Sequence, residues 1–323
     1  MGGVMVNAMV KITVLMAVRD TPSEMLRQAI ESIRSQTLRE FEFLIFDDGS
    51  VQPDTCAELK RQAAADSRVR LVRGPPRGFT TTLNCGLALA TGELIARQDA
   101  DDWSEPDRLE RQAAFLVQHP QIALCGSNAW THRHDGRRLW ATHLPEDAAA
   151  IRAALWKGNP FVHGGTLFRA GVARGLGGYR EEFRAAQDYD FFWRLSDVGG
   201  AANLPEPLYH YRYNAGAVSA RRPAEQARAH RAAQILAAAR RAGAMEDVAN
   251  ALERAGCELE RAGPLRTRLK QIDHRLLAGD FSAAGRAYAE LLTAHPGSRI
   301  AWGKLLRWAI FWAVPPAREW CFR

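Results

Sequence analysis

The stretch Glu93-Leu-Ile-Ala-Arg-Gln-Asp-Ala-Asp-Asp-Trp103 carries the decision about fold. Its first half is a short apolar run of strand length, and its second half holds Asp99, Asp101 and Asp102 with no turn residue between strand and acids. A strand that runs straight into carboxylates sets charge at the carboxyl edge of a sheet, where open α/β sheets bind their ligands. An Asp-x-Asp pair at such an edge suits a hard divalent cation. Magnesium prefers oxygen ligands, keeps several waters, and is commonly held by one or two carboxylates plus substrate phosphates. A calcium loop fits poorly: Glu110 stands at the twelfth position from Asp99, but Ser104 occupies the sixth, where glycine is needed. The plain alternative is that these aspartates cap the helix that follows.

Toward the N-terminus the same strand-then-helix order repeats. Lys11–Val18 is a β-rich apolar run. Thr21-Pro22-Ser23-Glu24 then supplies a capping residue, a proline for the first helical position and a carboxylate three residues on. The helix it opens carries Leu26, Ala29, Ile30 and Ile33 at helical spacing. Phe41–Phe46 is a second strand and ends in Asp47-Asp48-Gly49-Ser50. A helix near Thr55–Ala65, a strand at Val69–Val72, the breaker Gly74–Gly78 and a small-residue helix near Thr80–Ala90 lead back to Glu93. Past Trp103 come a helix over Pro106–Gln118 and a strand over Ile122–Ser127. Strands alternating with helices imply right-handed crossovers and a parallel sheet, so the fold class is α/β: a Rossmann-like, mostly parallel sheet flanked by helices. Asp47 and Asp48 then share a rim with Asp99 and Asp101, although about fifty residues separate them. Asp, Gly and Ser also form simple turns, but at a strand end these carboxylates suit a nucleotide base or ribose hydroxyl. No GxGxxG follows the first strand, which disfavours a dinucleotide fold, and no GxxxxGK[ST] occurs, which removes the P-loop class.

After residue 128 the pattern changes. Trp130–Trp140 reads as a hairpin around Asp135-Gly136, Asn159–Arg169 as loop and strand, Gly175–Tyr179 as a turn, and Ala185–Leu195 as the start of an aromatic-rich helix. From Pro223 the chain is Ala/Arg-rich and helical, with a break at Gly263-Pro264. We therefore expect a catalytic domain over residues 1–222 and a helical region over 223–323. Apolar residues make up 47% and charged residues 24% of the 323, values that exclude disordered and low-complexity classes. Met1–Val18 is apolar but interrupted by Asn7, Lys11 and Thr13 and followed by no small-residue cleavage site, so it reads as a leader plus a buried strand. Five scattered cysteines without CxxC spacing argue against a disulfide framework or zinc site and fit a cytoplasmic protein.

Six segments, in order, resemble the inverting family 2 glycosyltransferases of GT-A fold: VLMAVRD (14–20), FLIFDDGS (43–50), RQDADDW (97–103), NPFVHGGTLFR (159–169), GLGGYREEF (175–183) and QDYDFFWRL (187–195). The resemblance implies the GT-A sheet and assigns roles. Ala17, Arg19, Asp47, Asp48 and Asp99 would hold the nucleotide sugar. Asp99 and Asp101 would bind Mg2+ or Mn2+, Asp101 as direct ligand and Asp99 nearer the ribose. Asp188 would be the general base, with Gln187 beside it where the family usually has a second acid. His163 and Trp193 stand as acceptor-side candidates. His210–Ser219 resembles the closing motif, with Asn214 where a metal-binding histidine often stands. The activity implied is sugar transfer from a nucleotide-diphosphate sugar to a hydroxyl of a glycan or lipid-linked acceptor in cell-surface polysaccharide synthesis. Read from the residues alone, Asp188 and Asp190 would simply favour a helix N-terminus, and Tyr189, Phe191, Phe192 and Trp193 would be core. The rival readings are a nucleotidyltransferase, which shares an acidic rim but normally has a glycine- and lysine-rich phosphate loop after the first strand, and a membrane-associated scaffold without turnover.

Residues 1–222 carry a net charge of +1 and residues 223–323 a net of +6, so the tail points to an anionic partner. Leu276–Ser298 reads as one helical hairpin of tetratricopeptide type, which needs neighbouring helices to bury its apolar face. Ile300–Val314 mixes tryptophans with Lys304 and Arg307, a composition suited to an interfacial helix on an anionic membrane, or alternatively to packing. No nucleic-acid partner is expected, and the location expected is cytoplasmic, peripheral at the inner membrane face.

Overall fold

The computed structural model describes residues 10–213, 222–262 and 265–313. The first nine residues, Asn214–Ser219 and Gly263-Pro264 lie outside the described residues. Residues up to Ala129 with Leu144–Tyr211 form one compact unit; Trp130–His143 with the residues from Arg212 onward form a second. The hairpin thus groups with the residues from Arg212 onward. Tyr213 is already tied to the hairpin, its N–H donating to His132 O at 2.8 Å.

The first unit alternates β1 (Ile12–Val18), α1 (Ser23–Arg34), β2 (Phe41–Asp48), α2 (Pro53–Ala65), β3 (Val69–Gly74), α3 (Phe79–Leu89) and β4 (Leu94–Asp99). The chain continues with β5 (Trp103–Ser104), α4 (Arg108–Gln118), β6 (Leu124–His132), β7 (Arg138–Ala141, in the second unit), α5 (Ala148–Leu155), a 3-10 turn at His163–Gly165, β8 (Leu167–Arg169), α6 (Ala170–Gly175), α7 (Gln187–Gly199) and β9 (Ala201–Arg212). The strand order is β3-β2-β1-β4-β8-β6-β9-β5, with β7 on β6. Strands β1 to β4 pair in parallel, whereas β8 joins β4 and β6 antiparallel and β5 joins β9 antiparallel. The sheet is therefore mixed, with the expected parallel half.

All seven residues of β1 are buried, as befits a central strand covered on both faces. Its even positions Ile12, Val14, Met16 and Val18 share a core with Leu26, Ala29, Ile30 and Ile33 of α1 and Leu109 and Leu116 of α4. Leu15 points the other way, toward Gly86 of α3, where a Cβ would strike its side chain. The four apolar residues read as the inner face of α1 are its buried residues. The capping box is not formed: Pro22 occupies the N-cap, no side chain caps the helix, and Thr21 instead offers its carbonyl to Thr55 Oγ1 at 2.8 Å.

In the second unit follow α8 (Pro223–Arg241), α9 (Val248–Ala262), α10 (Leu265–Ala278), α11 (Phe281–Ala294) and α12 (Arg299–Ala313). Asp280 caps α11, its carboxylate accepting from Ala283 N at 3.1 Å. Leu269, Ile272, Ala284, Tyr288, Leu291 and Ala301 form one cluster, so the α10–α11 hairpin buries its apolar face with the help of α12. Among the described residues no helix is long and apolar enough to cross a membrane.

Candidate active site

Strand register builds the site. β1 runs between β2 and β4 and pairs Ala17 with both Phe46 and Asp99, and Val18 with Asp47. Asp47 and Asp99 therefore stand one residue out of step on either side of β1, two strand spacings or roughly 10 Å apart. The two acidic strand ends do share a rim.

On the β2 side both carboxylates hold loops. Asp47 accepts from Ser50 N at 2.8 Å and pairs with Arg73 Nε at 3.0 Å, which shapes the turn after β2. Asp48 accepts from the backbone N–H groups of Arg77 (2.6 Å) and Gly78 (3.1 Å), with the Arg19 guanidinium 3.9 Å away. The 74–78 breaker is thereby pinned over the rim. Gly49 adopts φ +76°, and a Cβ there would lie 2.7 Å from Pro76 Cδ, so this corner accepts only glycine. Asp20 has a part that the sequence reading missed. It takes φ +47°, its Oδ1 accepts from Val51 N and Gln52 N at 2.7 and 2.9 Å, and its N–H donates to Ser50 Oγ at 3.0 Å. Those backbone donors, Gln52 first, hold its carboxyl below the ordinary range. An aspartate directly after a strand, able to take the left-handed conformation and bind nearby backbone, was the available signal.

On the β4 side a buried guanidinium organises the acids. Arg97 donates from Nη2 to Asp99 Oδ1 at 2.7 Å, from Nη1 to Leu15 O, and from Nε to His163 Nε2 at 3.3 Å. The Asp99 N–H donates to Tyr209 Oη at 3.2 Å. Gly164 leaves room at this corner: a Cβ there would lie 2.8 Å from Asp99 Oδ2 and still closer to the Tyr209 hydroxyl. Arg108, buried, donates to Arg97 O (3.0 Å) and Gly164 O (3.3 Å), and burial lowers its pKa to about 10. Burial also pushes the Asp99 carboxyl up to about 6; Arg97 opposes this, and the nearby charges of Asp101 and Asp188 add to it. Asp99, Asp101 and Asp188 thus feel one another, although Asp188 arrives on a separate element.

Asp188 lies in the first turn of α7, two residues after the N-cap Ala186, which takes the left-handed region at φ +51°. Its Oδ2 accepts from Asn159 Nδ2 at 2.7 Å, a partner the sequence reading did not single out. Asp190 behaves differently: buried, it binds Arg194 Nε at 2.9 Å and Arg180 Nη1 at 3.0 Å. The two helix-start acids therefore divide, Asp190 into the framework and Asp188 toward Asp99.

The acceptor-side candidates separate as well. His163 is partly exposed, 3.1 Å from Tyr179 Oη and edge-on to Phe79, Tyr179 and Phe192. Because Arg97 can only donate, Nε2 is the bare nitrogen and the ring proton sits on Nδ1. Burial, with the Arg97 charge, holds its pKa well below 6.5. Trp193 is 1% exposed, set edge-on to Trp156 at 4.8 Å. A stacking platform needs an open ring face and Trp193 has none, so it is a core residue here, as the residue-level reading held. His210 is bound to Glu105 Oε1 at 2.8 Å and stacked on Trp103 at 4.6 Å, and Asn214 lies outside the described residues.

The sequence profile of "Glycosyl transferase family 2" matches residues 13–177. EpsE of Bacillus subtilis (strain 168), named as a glycosyltransferase, is 34% identical over 221 residues, 67% of this chain and 77% of EpsE. The chain belongs to glycosyl transferase family 2. This glycosyltransferase is also similar to the amylovoran biosynthesis glycosyltransferase AmsE of Erwinia amylovora, at 30% identity over 62% of this chain and 74% of AmsE. In fold it resembles the mannosyltransferase PcManGT from Pyrobaculum calidifontis, solved with GDP-Man and Mn2+, with a TM-score of 0.56 and 20% identity over 96% of this chain and 82% of that one. S. aureus TarS 1-349 in complex with UDP-GlcNAc gives a TM-score of 0.58 at 18% identity, over 86% and 83% of the two chains. The glycosyltransferase has the GT-A fold: a mostly parallel sheet flanked by helices, with C-terminal helices. Among its described residues no group of three or more His, Cys, Asp and Glu side chains stands arranged as a metal site. Asp99 and Asp101 offer hard oxygen donors in the number that magnesium takes when phosphates complete its shell. The corner left open by Gly164 keeps Asp99 Oδ2 unobstructed by a neighbouring Cβ.

Proposed function

We propose that this glycosyltransferase moves a sugar from a nucleotide-diphosphate sugar to a hydroxyl of a glycan or lipid-linked acceptor, with inversion and with Mg2+ or Mn2+ as cofactor. The observation that carries the reading is that Asp188 on α7, held by Asn159, adds its charge to that of Asp101 at Asp99. It supports Asp188 as the base candidate for a diphosphate bound at that strand end. Asn159 holds Asp188 Oδ2 and so orients the carboxylate. Asp188 accepts the proton of the acceptor hydroxyl as that oxygen bonds to the anomeric carbon and the bond from carbon to the diphosphate oxygen breaks on the opposite face. A single displacement inverts the centre and needs no covalent enzyme intermediate. Asp99 and Asp101 would hold the cation, which when bound supplies Lewis-acid stabilisation of the departing diphosphate. Ala17, Arg19, Asp47 and Asp48 line the nucleotide side of the rim, with Asp47 and Asp48 acting through the loops they pin.

Similarity to the amylovoran biosynthesis glycosyltransferase AmsE supports polysaccharide assembly as the setting, and the likeness to PcManGT with GDP-Man and TarS with UDP-GlcNAc supports a nucleotide-sugar donor. The test is a panel of UDP- and GDP-sugars with Mg2+, Mn2+ or EDTA, scored for released nucleoside diphosphate. Metal-dependent release with one donor, lost in Asp101→Ala, supports the reading. Release of pyrophosphate would support nucleotidyl transfer instead, and no turnover of any donor with any metal would defeat both.

A further inference from the structure

We propose that Phe79 is a stacking platform for the ring of the transferred sugar, set on the rim between the β2 and β4 strand ends. The helix that carries it explains why an apolar ring stands there. Phe79, Leu83 and Leu87 lie four residues apart on one stripe of α3. Leu83 and Leu87 are buried in the core, whereas Phe79, at the end of the helix nearest the carboxyl ends of the strands, keeps 39% of its surface exposed. The stripe therefore runs past the core and puts Phe79 onto the rim. The backbone on each side fixes that position. The Gly78 N–H donates to Asp48 Oδ2 at 3.1 Å, and Thr80 Oγ1 donates to Phe183 O at 2.9 Å, in the segment that leads into α7.

Phe79 also meets the second acidic strand end. The Arg97 guanidinium carbon lies over one face of the ring, 5.9 Å from its centroid, and the same guanidinium grips Asp99 Oδ1 at 2.7 Å. His163 stands perpendicular to the ring at 6.0 Å. With one face turned to buried Arg97, the exposed area is the other face and the outer edge. A Cβ on Gly78 would meet nothing within 4 Å, so the space beside the ring is open. An aromatic face carries negative charge density, and a pyranose ring can turn a row of C–H groups to it. Ligand pockets combine such apolar walls with a few placed polar groups. Trp193, the aromatic expected at the acceptor side, is buried and cannot serve. The inference rests on the sugar-transfer function proposed above: with the diphosphate at Asp99, the departing sugar lies beside a ring that shares Arg97 with that carboxylate.

The test is titration calorimetry of the full chain with Mn2+, using the panel of UDP- and GDP-sugars and, separately, UDP and GDP. The native chain is compared with Phe79→Leu, Phe79→Met and Phe79→Tyr. For the nucleotide sugar that binds, Phe79→Leu should weaken affinity about three- to tenfold, the range that loss of an aromatic stack spans. The matching nucleoside diphosphate should bind within about twofold of native, because the ring touches the sugar and not the nucleotide. Phe79→Tyr, which keeps the aromatic face, should retain both affinities. Phe79→Met, a flexible apolar replacement, should repeat the leucine result and covers the case in which that variant misfolds. Equal weakening of nucleotide sugar and nucleoside diphosphate, or no change in either, overturns the proposal. So does a rise in the acceptor KM with donor affinity unchanged, since the platform would then serve the acceptor. A native chain that binds no member of the panel defeats the sugar-transfer reading and this inference with it. A native chain that turns over its donor and is indifferent to the Phe79 changes defeats this inference alone.

Discussion

Asp188 and Asp190 stand two positions apart in the same helical turn, yet the structure gives them different work. Asp190 is neutralised by two arginines, whereas Asp188 is held by an uncharged amide and adds its charge to Asp99. Replacing Asp188 by Asn should lower kcat by about 10²–10⁴-fold, the usual contribution of a general base, and leave the donor KM within about threefold; steady-state kinetics on both substrates reads the split. Gly164→Ala puts a methyl against Asp99 and Tyr209 in a corner whose other walls are backbone and buried arginines. It should lower both the thermal midpoint and turnover, the second by on the order of 10²-fold because a shift of about 1 Å at a site is that costly. The acids themselves were legible in the sequence, since Asp-x-Asp and Asp-Asp after strands are local patterns. Asn159 was not: its bond to Asp188 crosses 29 residues of chain, and no periodicity links a loop amide to a later helix.

Helix α2 shows how an element is fastened to its neighbour by charge. Burial pushes the Glu58 carboxyl up, but hydrogen bonds from Arg61, Gln62 and Arg27 outweigh burial and hold it at about 2. A carboxylate ionises near 4.3 in an unfolded chain, so this group contributes stability that is fully present above about pH 4.5 and is lost as pH falls toward 2. Arg27 and Arg61 are about half exposed, so the contribution after solvent screening is about 1 kcal/mol. Glu58→Gln should destabilise the first unit by that amount at pH 7 and by only about a quarter of it at pH 2.5, which urea unfolding at the two pH values would measure. The strands and helices up to residue 127, the two-residue β5 apart, were legible because period, turn residues and breakers are local signals. Strand β9 was not read, because Pro205 and Pro207 interrupt it and proline argues against a strand interior. The α1 cap was misread because Pro22 displaced Thr21 by one position.

Ligand linkage reports on the assembled rim. If the β2 and β4 strand ends form one nucleotide site, Mn2+ with the correct nucleoside diphosphate at 100 times its Kd adds about 2.7 kcal/mol to the folded state. For a unit of this size that raises the thermal midpoint by roughly 5–10 °C. EDTA should remove the shift, and Asp101→Asn should remove most of it; a scan that shows the same shift in that variant would contradict the assigned cation pair. The sequence by itself determined the strand–helix alternation, the acidic strand ends and the family resemblance, because each is written in neighbouring residues. Only the tertiary structure decided that β1 lies between the two acidic strands, that Asp99 feels the charge of Asp188, that Trp193 is core, and that α12 turns Trp308 inward and Trp302 outward. Those outcomes rest on contacts between residues far apart in the chain, and such contacts are set by strand order and helix packing, which no local pattern encodes.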